Sequence, residues 1–286
     1  MANLSLNPMA TTNALGSFGV QSDGYIQGVA LDDPANRFNL AAGTVAPTET
    51  KPLWGGLPVA ELLPGTSSSS RGSFIRRAVS VAELEGFTVF NQAHNGLTTP
   101  QSPVPLYASG MSVSYYRLGS SMRIPLKASA QVVALGTAGA SVKTPLAWDF
   151  VNNQITTAAA AGFAGSDIAT TDVSYASGVA TATTASAHGL TAGQYVKISG
   201  VAPAAYNGTV VVLSVPNSTT FTYAPATAPG GAATTQGTIG AVTLSDITLP
   251  LKVLAIESGN SKTVSYDSAT GFLTWNNTDS CALVLL

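Results

Sequence analysis

The sequence predicts an all-β protein: a main β-sandwich or barrel domain, a small β-barrel domain inserted near its C-terminal end, and an extended N-terminal arm. Three observations predict it. Apolar and polar residues alternate at period two in many short segments. Twenty-eight glycines and sixteen prolines punctuate those segments and leave little room for long helices. Acidic and basic side chains nearly vanish from one internal stretch, where Ile168 to Val242 holds only Asp172, His188 and Lys197, while charge persists on both sides of it.

In residues 1–24, Leu4, Leu6, Leu15 and Phe18 stand isolated among Asn, Gly, Ser and Thr. They are too sparse to build a core, so the segment is expected to be an arm that orders on a partner. It shows neither the basic start nor the continuous apolar run of a secretory signal. Residues 25–165, rejoined by 243–286, form the expected main domain and include Trp54, Trp148 and Trp275. Within it, residues 111–116 (MSVSYY) place Met111, Val113 and Tyr115 on one face of a strand and serines on the other. The one convincing helical pattern is a turn or two over residues 79–85 (VSVAELE), with Ser80 as N-cap.

Residues 166–242 form the expected insert, flanked by the linkers 158–166 (AAAAGFAGS) and 237–241. Gly189 and Gly193 suit turns with positive φ. Tyr195 is set apart from Val196 and Ile198 by the strand alternation. Asn207-Gly208 signals a hairpin and Pro216-Asn217 the next turn. Strands are expected at 208–215 and 219–223, and after the insert at 249–256, 263–266 and 272–275. Two sequential domains dividing near Gly165 are the alternative. Insertion is favoured because the chain after Thr243 offers about four strands, more than a small barrel needs.

Charged residues make up 9% of the chain, against about 25% in an average soluble domain. Ser, Thr, Ala and Gly replace them, giving a surface suited to close contact between subunits. A net charge of −2 gives no global attraction for nucleic acid or an anionic membrane. The uncharged run 198–245 is interrupted by Pro203, Asn207, Gly208, Pro216, Asn217 and Pro225, which no spanning helix tolerates together, so the protein is expected to be soluble. Arg71, Arg76 and Arg77 are the densest basic group. With Leu4, Leu6 and Phe18 they are the candidate partner contacts. With Cys281 as the lone cysteine, no intramolecular disulfide forms within the chain.

The residues that would carry chemistry are missing. His94 and His188 each precede or neighbour glycine in an apparent turn and are expected to bond loop backbone. A zinc site needs three clustered His or Cys ligands, and the chain has three such residues in all, far apart. Asp32-Asp33-Pro34 reads as a turn, since adjacent strand residues face opposite ways and no calcium-loop spacing follows. Glu83 and Glu85 solvate the helical turn. Trp54, Trp148 and Trp275 sit in apolar contexts that favour packing over sugar stacking. Nucleotide loops and nucleophile elbows are likewise missing. No catalytic, cofactor or metal residue is assigned, and the chain is expected not to be an enzyme.

The insert sequence TASAHGLTAGQYVKISG, followed by VAPAAYNGTVVVLSVPNSTTFTYA, resembles a small β-barrel module common in phage virion and tail proteins. The segments SDGYIQGVALDDPANRF, FNQAHNGLTTPQSPVPLYASGMSVSYYRLGSSMRIPL and LPLKVLAIESGNSKTVSYDSATGFLTWN resemble a family of phage structural cement proteins. The resemblance implies a homo-oligomeric decoration subunit, assembled in the host cytoplasm, that sits outside the capsid and clamps major capsid protein subunits without catalysis. A tail or baseplate structural protein is the alternative. So is a receptor-binding protein whose insert holds a host-surface glycan.

Overall fold

The computed structural model describes residues 24–31, 39–63, 72–90, 97–99 and 102–286. The expected partner contacts Leu4, Leu6, Phe18 and Arg71, together with His94 and the Asp32-Asp33 pair, lie outside the described residues. The protein is mostly β-structure, as its alternation predicts. Its chain divides into two compact units, Met1–Thr144 with Pro250–Leu286, and Pro145–Leu249.

In the first unit, strands β1 (Leu40–Val45), β2 (Pro58–Leu62), β3 (Phe74–Arg77), β4 (Gly86–Thr88) and β7 (Ser112–Arg117) close a barrel in the order β1-β3-β2-β4-β7. Only the β1–β3 pair is parallel. β5 (Leu97–Thr99) and β6 (Ser102–Leu106) form a separate hairpin. Of the apolar face read at residues 111–116, Val113 and Tyr115 are fully buried in β7 with Val45, Leu53, Trp54, Leu57, Val59 and Ile75, but Ser114 and Tyr116 on the other face are buried too, and Met111 lies half-buried before the strand. Thr88 fixes the turn beneath this core: its hydroxyl accepts from the Leu57 amide at 2.9 Å and donates to the Trp54 carbonyl. Gly56 holds φ +82° in that turn, a conformation that a Cβ would penalise.

β8 (Arg123–Lys127), β17 (Lys252–Tyr266) and β18 (Leu273–Leu285) form a three-stranded sheet with β18 in the centre. The sequence places two short strands at 249–256 and 263–266, whereas one bulged strand runs through both. Its register shifts between Glu257 and Ser261 absorb the polar residues that separate the two apolar runs. Val264 and Leu273 from this hairpin complete the barrel core.

Helix content differs from expectation. The 79–85 pattern forms a single 3₁₀ turn, Val81–Glu83, and Ser80 makes no side-chain cap. The Glu83 carboxylate accepts from the Val79 amide instead, at 2.5 Å. The longest helix is α1 (Ala130–Ala138), where no helix is expected; Ser129 caps its start and Gly139, at φ +63°, ends it.

The second unit is built around a six-stranded closed antiparallel barrel. Its strands are β11 (Ile168–Ala176), β12 (Val179–Thr184), β13 (Tyr195–Ser199), β14 (Gly208–Asn217), β15 (Thr220–Tyr223) and β16 (Thr238–Gly240), in the order β11-β12-β15-β14-β13-β16. Val173, Val196, Ile198, Val212, Phe221, Tyr223 and Ile239 fill it. Gly189 and Gly193 hold φ +63° and +90°. Asn207 does not make a two-residue hairpin turn. Its side-chain amide brackets Val201, accepting from the amide at 2.9 Å and donating to the carbonyl at 2.8 Å, and so pins the corner before β14.

This unit extends beyond residues 166–242. The hairpin of β9 (Leu146–Asp149) and β10 (Gln154–Thr157) belongs to it, so Trp148 lies here and not with the main domain. The Tyr195 hydroxyl, on the outside of the barrel core, donates to the Trp148 carbonyl at 2.6 Å. The linker 158–166 is tied down as well. It contains the short helix α2 (Ala158–Ala161), and the Phe163 amide donates to the Tyr195 carbonyl at 2.8 Å. The two ends of the unit meet where the Leu249 amide donates to the Leu146 carbonyl at 2.8 Å.

Candidate interaction surface

A surface groove lies in the first unit, between α1 and β17. α1 buries Val132 and turns Val133 and Leu135 toward the strand. Gly136 lets the helix close on β17, since a Cβ there would stand 3.2 Å from Ile256 Cδ1. The groove left between them has a volume of about 360 Å³ and is lined by Val133, Leu135, Val142, Leu254 and Ile256 with small and hydroxyl residues. No lining residue carries an ionisable side chain. Val142 is 51% exposed and Leu254 44%, so the apolar lining opens to the surface. β17 is paired by β18 on one side. On its other side, the described residues pair with it only at Ile26, which bridges Lys262 in parallel.

Of the arginines predicted to meet a partner, Arg76 and Arg77 are engaged within the unit. Arg76 pairs with Glu83. The Arg77 guanidinium lies 4.8 Å above the Trp54 ring and donates to the Pro52 carbonyl at 2.9 Å, while Trp54 stacks on Tyr266 at 5.7 Å. Burial depresses the Arg77 guanidinium, against the opposing pull of Glu49. Arg117 grips Glu61 through bonds of 2.8 to 3.1 Å. Burial pushes Glu61 up, but hydrogen bonds from Ser73, Arg117 and Tyr115 outweigh it and hold the carboxylate below its ordinary value. Beside it the Tyr115 phenol is pushed up to about 12, by burial first and then by Glu61. Lys127 pairs with Asp279 at 3.2 Å across β8 and β18. These charges are spent on one another.

In the second unit His188 is buried, stacks edge-on against Phe221 at 5.5 Å, and accepts at Nδ1 from the Leu190 amide at 3.0 Å. Its Nε2 is sealed near the Thr220 backbone without a hydrogen bond of good geometry. Burial lowers its proton affinity, and the Thr220 backbone only partly restores it. The bond to loop backbone is the structural role expected from the sequence. Asp149 accepts from the amides of Val151 and Asn152 at 3.0 Å and from the Asn152 side chain at 2.7 Å, fixing the β9–β10 turn. Its carboxylate fills the space where a Gly193 Cβ would stand, 2.4 Å from Oδ1.

Cys281 is buried and its thiol is pushed up to about 12 by that burial, which leaves it unreactive while folded. Trp54 and Trp148 are buried, whereas Trp275 is half-buried, with Phe90 at 5.9 Å and the Lys262 ammonium 5.1 Å from its ring. Among the described residues, no three His, Cys, Asp or Glu side chains come together as a metal site. No helix among them is long and apolar enough to cross a membrane. The α1–β17 groove escaped the sequence reading because α1 did. Ser129 and Gly139, flanking an Ala- and Val-rich run, were the available signal. Compared with protein-family models, curated proteins and solved structures, the chain matches none.

Proposed function

We propose that this chain is a non-enzymatic bacteriophage virion subunit that binds the outside of the assembled capsid and stabilises it. The observation that carries the reading is the uncharged, surface-open groove between α1 and β17. Such a surface binds by apolar burial, worth about 25 cal/mol per Å². That contribution needs no nucleophile or base. The charge-poor composition supports the same reading, because few long solvated side chains must be immobilised at a contact. The sequence resemblance to cement proteins supplies the partner, the major capsid protein. Many copies on a repeating lattice make individually weak contacts effective.

The reading is tested by adding purified subunit to particles that lack it and sedimenting them. Saturable binding is expected, weakened on the order of tenfold when Leu254→Asp and Val142→Asp place charge in the groove. Binding to host cells but not to particles would favour a receptor-binding role instead.

A further inference from the structure

We infer that residues 185–192 of the second unit form an acid-released latch: protonation of His188 frees this corner and lets Leu190 leave the barrel core. The corner joins β12 to β13 as irregular chain, and of its residues only His188 and Leu190 are buried. The His188 ring lies edge-on to Phe221 at 5.5 Å. Leu190 is 4% exposed and belongs to the barrel core with Val173, Val196 and Val212. The corner is otherwise tied down before Gly189: the Ala185 amide donates to the Ala169 carbonyl at 2.9 Å, the Thr184 hydroxyl to the Ser186 carbonyl at 2.7 Å, and the His188 amide to the Ser218 carbonyl at 3.0 Å. Gly189 and Gly193, both at positive φ, stand on either side of the stretch that carries Leu190 and give it pivots.

Geometry makes the latch depend on the charge of the ring. The Leu190 amide donates to Nδ1 at 3.0 Å, so Nδ1 carries no proton and the seated ring is the neutral tautomer protonated at Nε2. An imidazolium carries a proton on both nitrogens, and its Nδ1–H would oppose the Leu190 N–H. The contact that seats Leu190 then turns repulsive, and the new charge stands in a site closed to water. The elements packed against the ring offer no compensation. Leu190, Ser218, Thr220 and Phe221 have no ionisable side chain, and Tyr223, 5.9 Å from Phe221, commits its hydroxyl to the Tyr206 carbonyl at 3.2 Å. The charged group beside the corner is Asp149, which lies against Gly193 and holds the β9–β10 turn. Relief comes when the ring swings into water and Leu190 follows.

Hydrogen exchange of the full-length chain at pH 7 and pH 5 is the test. The released ring titrates near the ordinary histidine value of about 6.5 while the seated ring stays neutral, so the opening equilibrium should rise about 20-fold between the two conditions. Amides of residues 188–193, corrected for the intrinsic effect of pH on exchange, should quicken by that factor while those of β13 and β14 do not. His188→Asn keeps an acceptor for the Leu190 amide and leaves Asp149 in place, and it should abolish the quickening. In the unaltered chain, an absence of selective quickening overturns the assignment whatever the variant does. Quickening spread equally over the barrel strands overturns it as well. Quickening retained in His188→Asn would belong to Asp149 and also overturns it. Because no particle is involved, these outcomes are independent of the capsid reading.

Discussion

At the scale of single residues, side chains that suggest chemistry serve as fasteners. His188 spends Nδ1 on the Leu190 amide and its ring face on the barrel core. Its folded proton affinity lies below that of the unfolded residue, so the unfolded chain binds the extra proton. The cost to folding is absent above about pH 6.5, the ordinary histidine value, and grows as pH falls through and below it. His188→Asn, which keeps an acceptor for Leu190, should therefore flatten the loss of stability between pH 7 and pH 5. Denaturant melts at both values measure this, and an unchanged slope would reject the assignment. The glycines and histidine of this turn were legible in the sequence because each has a local reason to be there. Asn207 was misread for the same reason: its neighbour Gly208 suggests a hairpin, while its actual partner, Val201, lies six residues back.

At the scale of elements, the barrel strands were readable and the boundaries were not. Alternation marks β7, β14 and β15 within a few residues. The extent of the second unit depends on the Tyr195 hydroxyl reaching the carbonyl of Trp148, a main-chain group that no side-chain pattern reveals. Burial, helped by the Asp149 charge, pushes the Tyr195 phenol well above its ordinary range, so it acts as a neutral donor. Tyr195→Phe should cost the second unit about 1–2 kcal/mol by removing that buried hydrogen bond, measurable in chemical denaturation. Because Leu146 and Leu249 meet, the unit leaves and returns at one point. Replacing Pro145–Leu249 by a short Gly/Ser linker should give a soluble remainder with a cooperative melt. An unfolded remainder would show that the first unit depends on the second. α1 was missed for a different reason. Its Ala, Val and Gly residues give little amphipathic contrast, and only the capping residues announce it.

At the scale of the whole molecule, composition reported the style of the surface and nothing of its location. The charged pairs close on each other, and the α1–β17 groove offers apolar contact. This matches a subunit that works by staying bound. The most direct measurement is genome release on heating from particles assembled with and without this chain, followed by dye access to the nucleic acid. The account predicts that particles lacking the chain assemble normally but release their genome at lower temperature, and that adding the purified protein back restores retention. Identical release temperatures with and without the protein, at full occupancy, would contradict it.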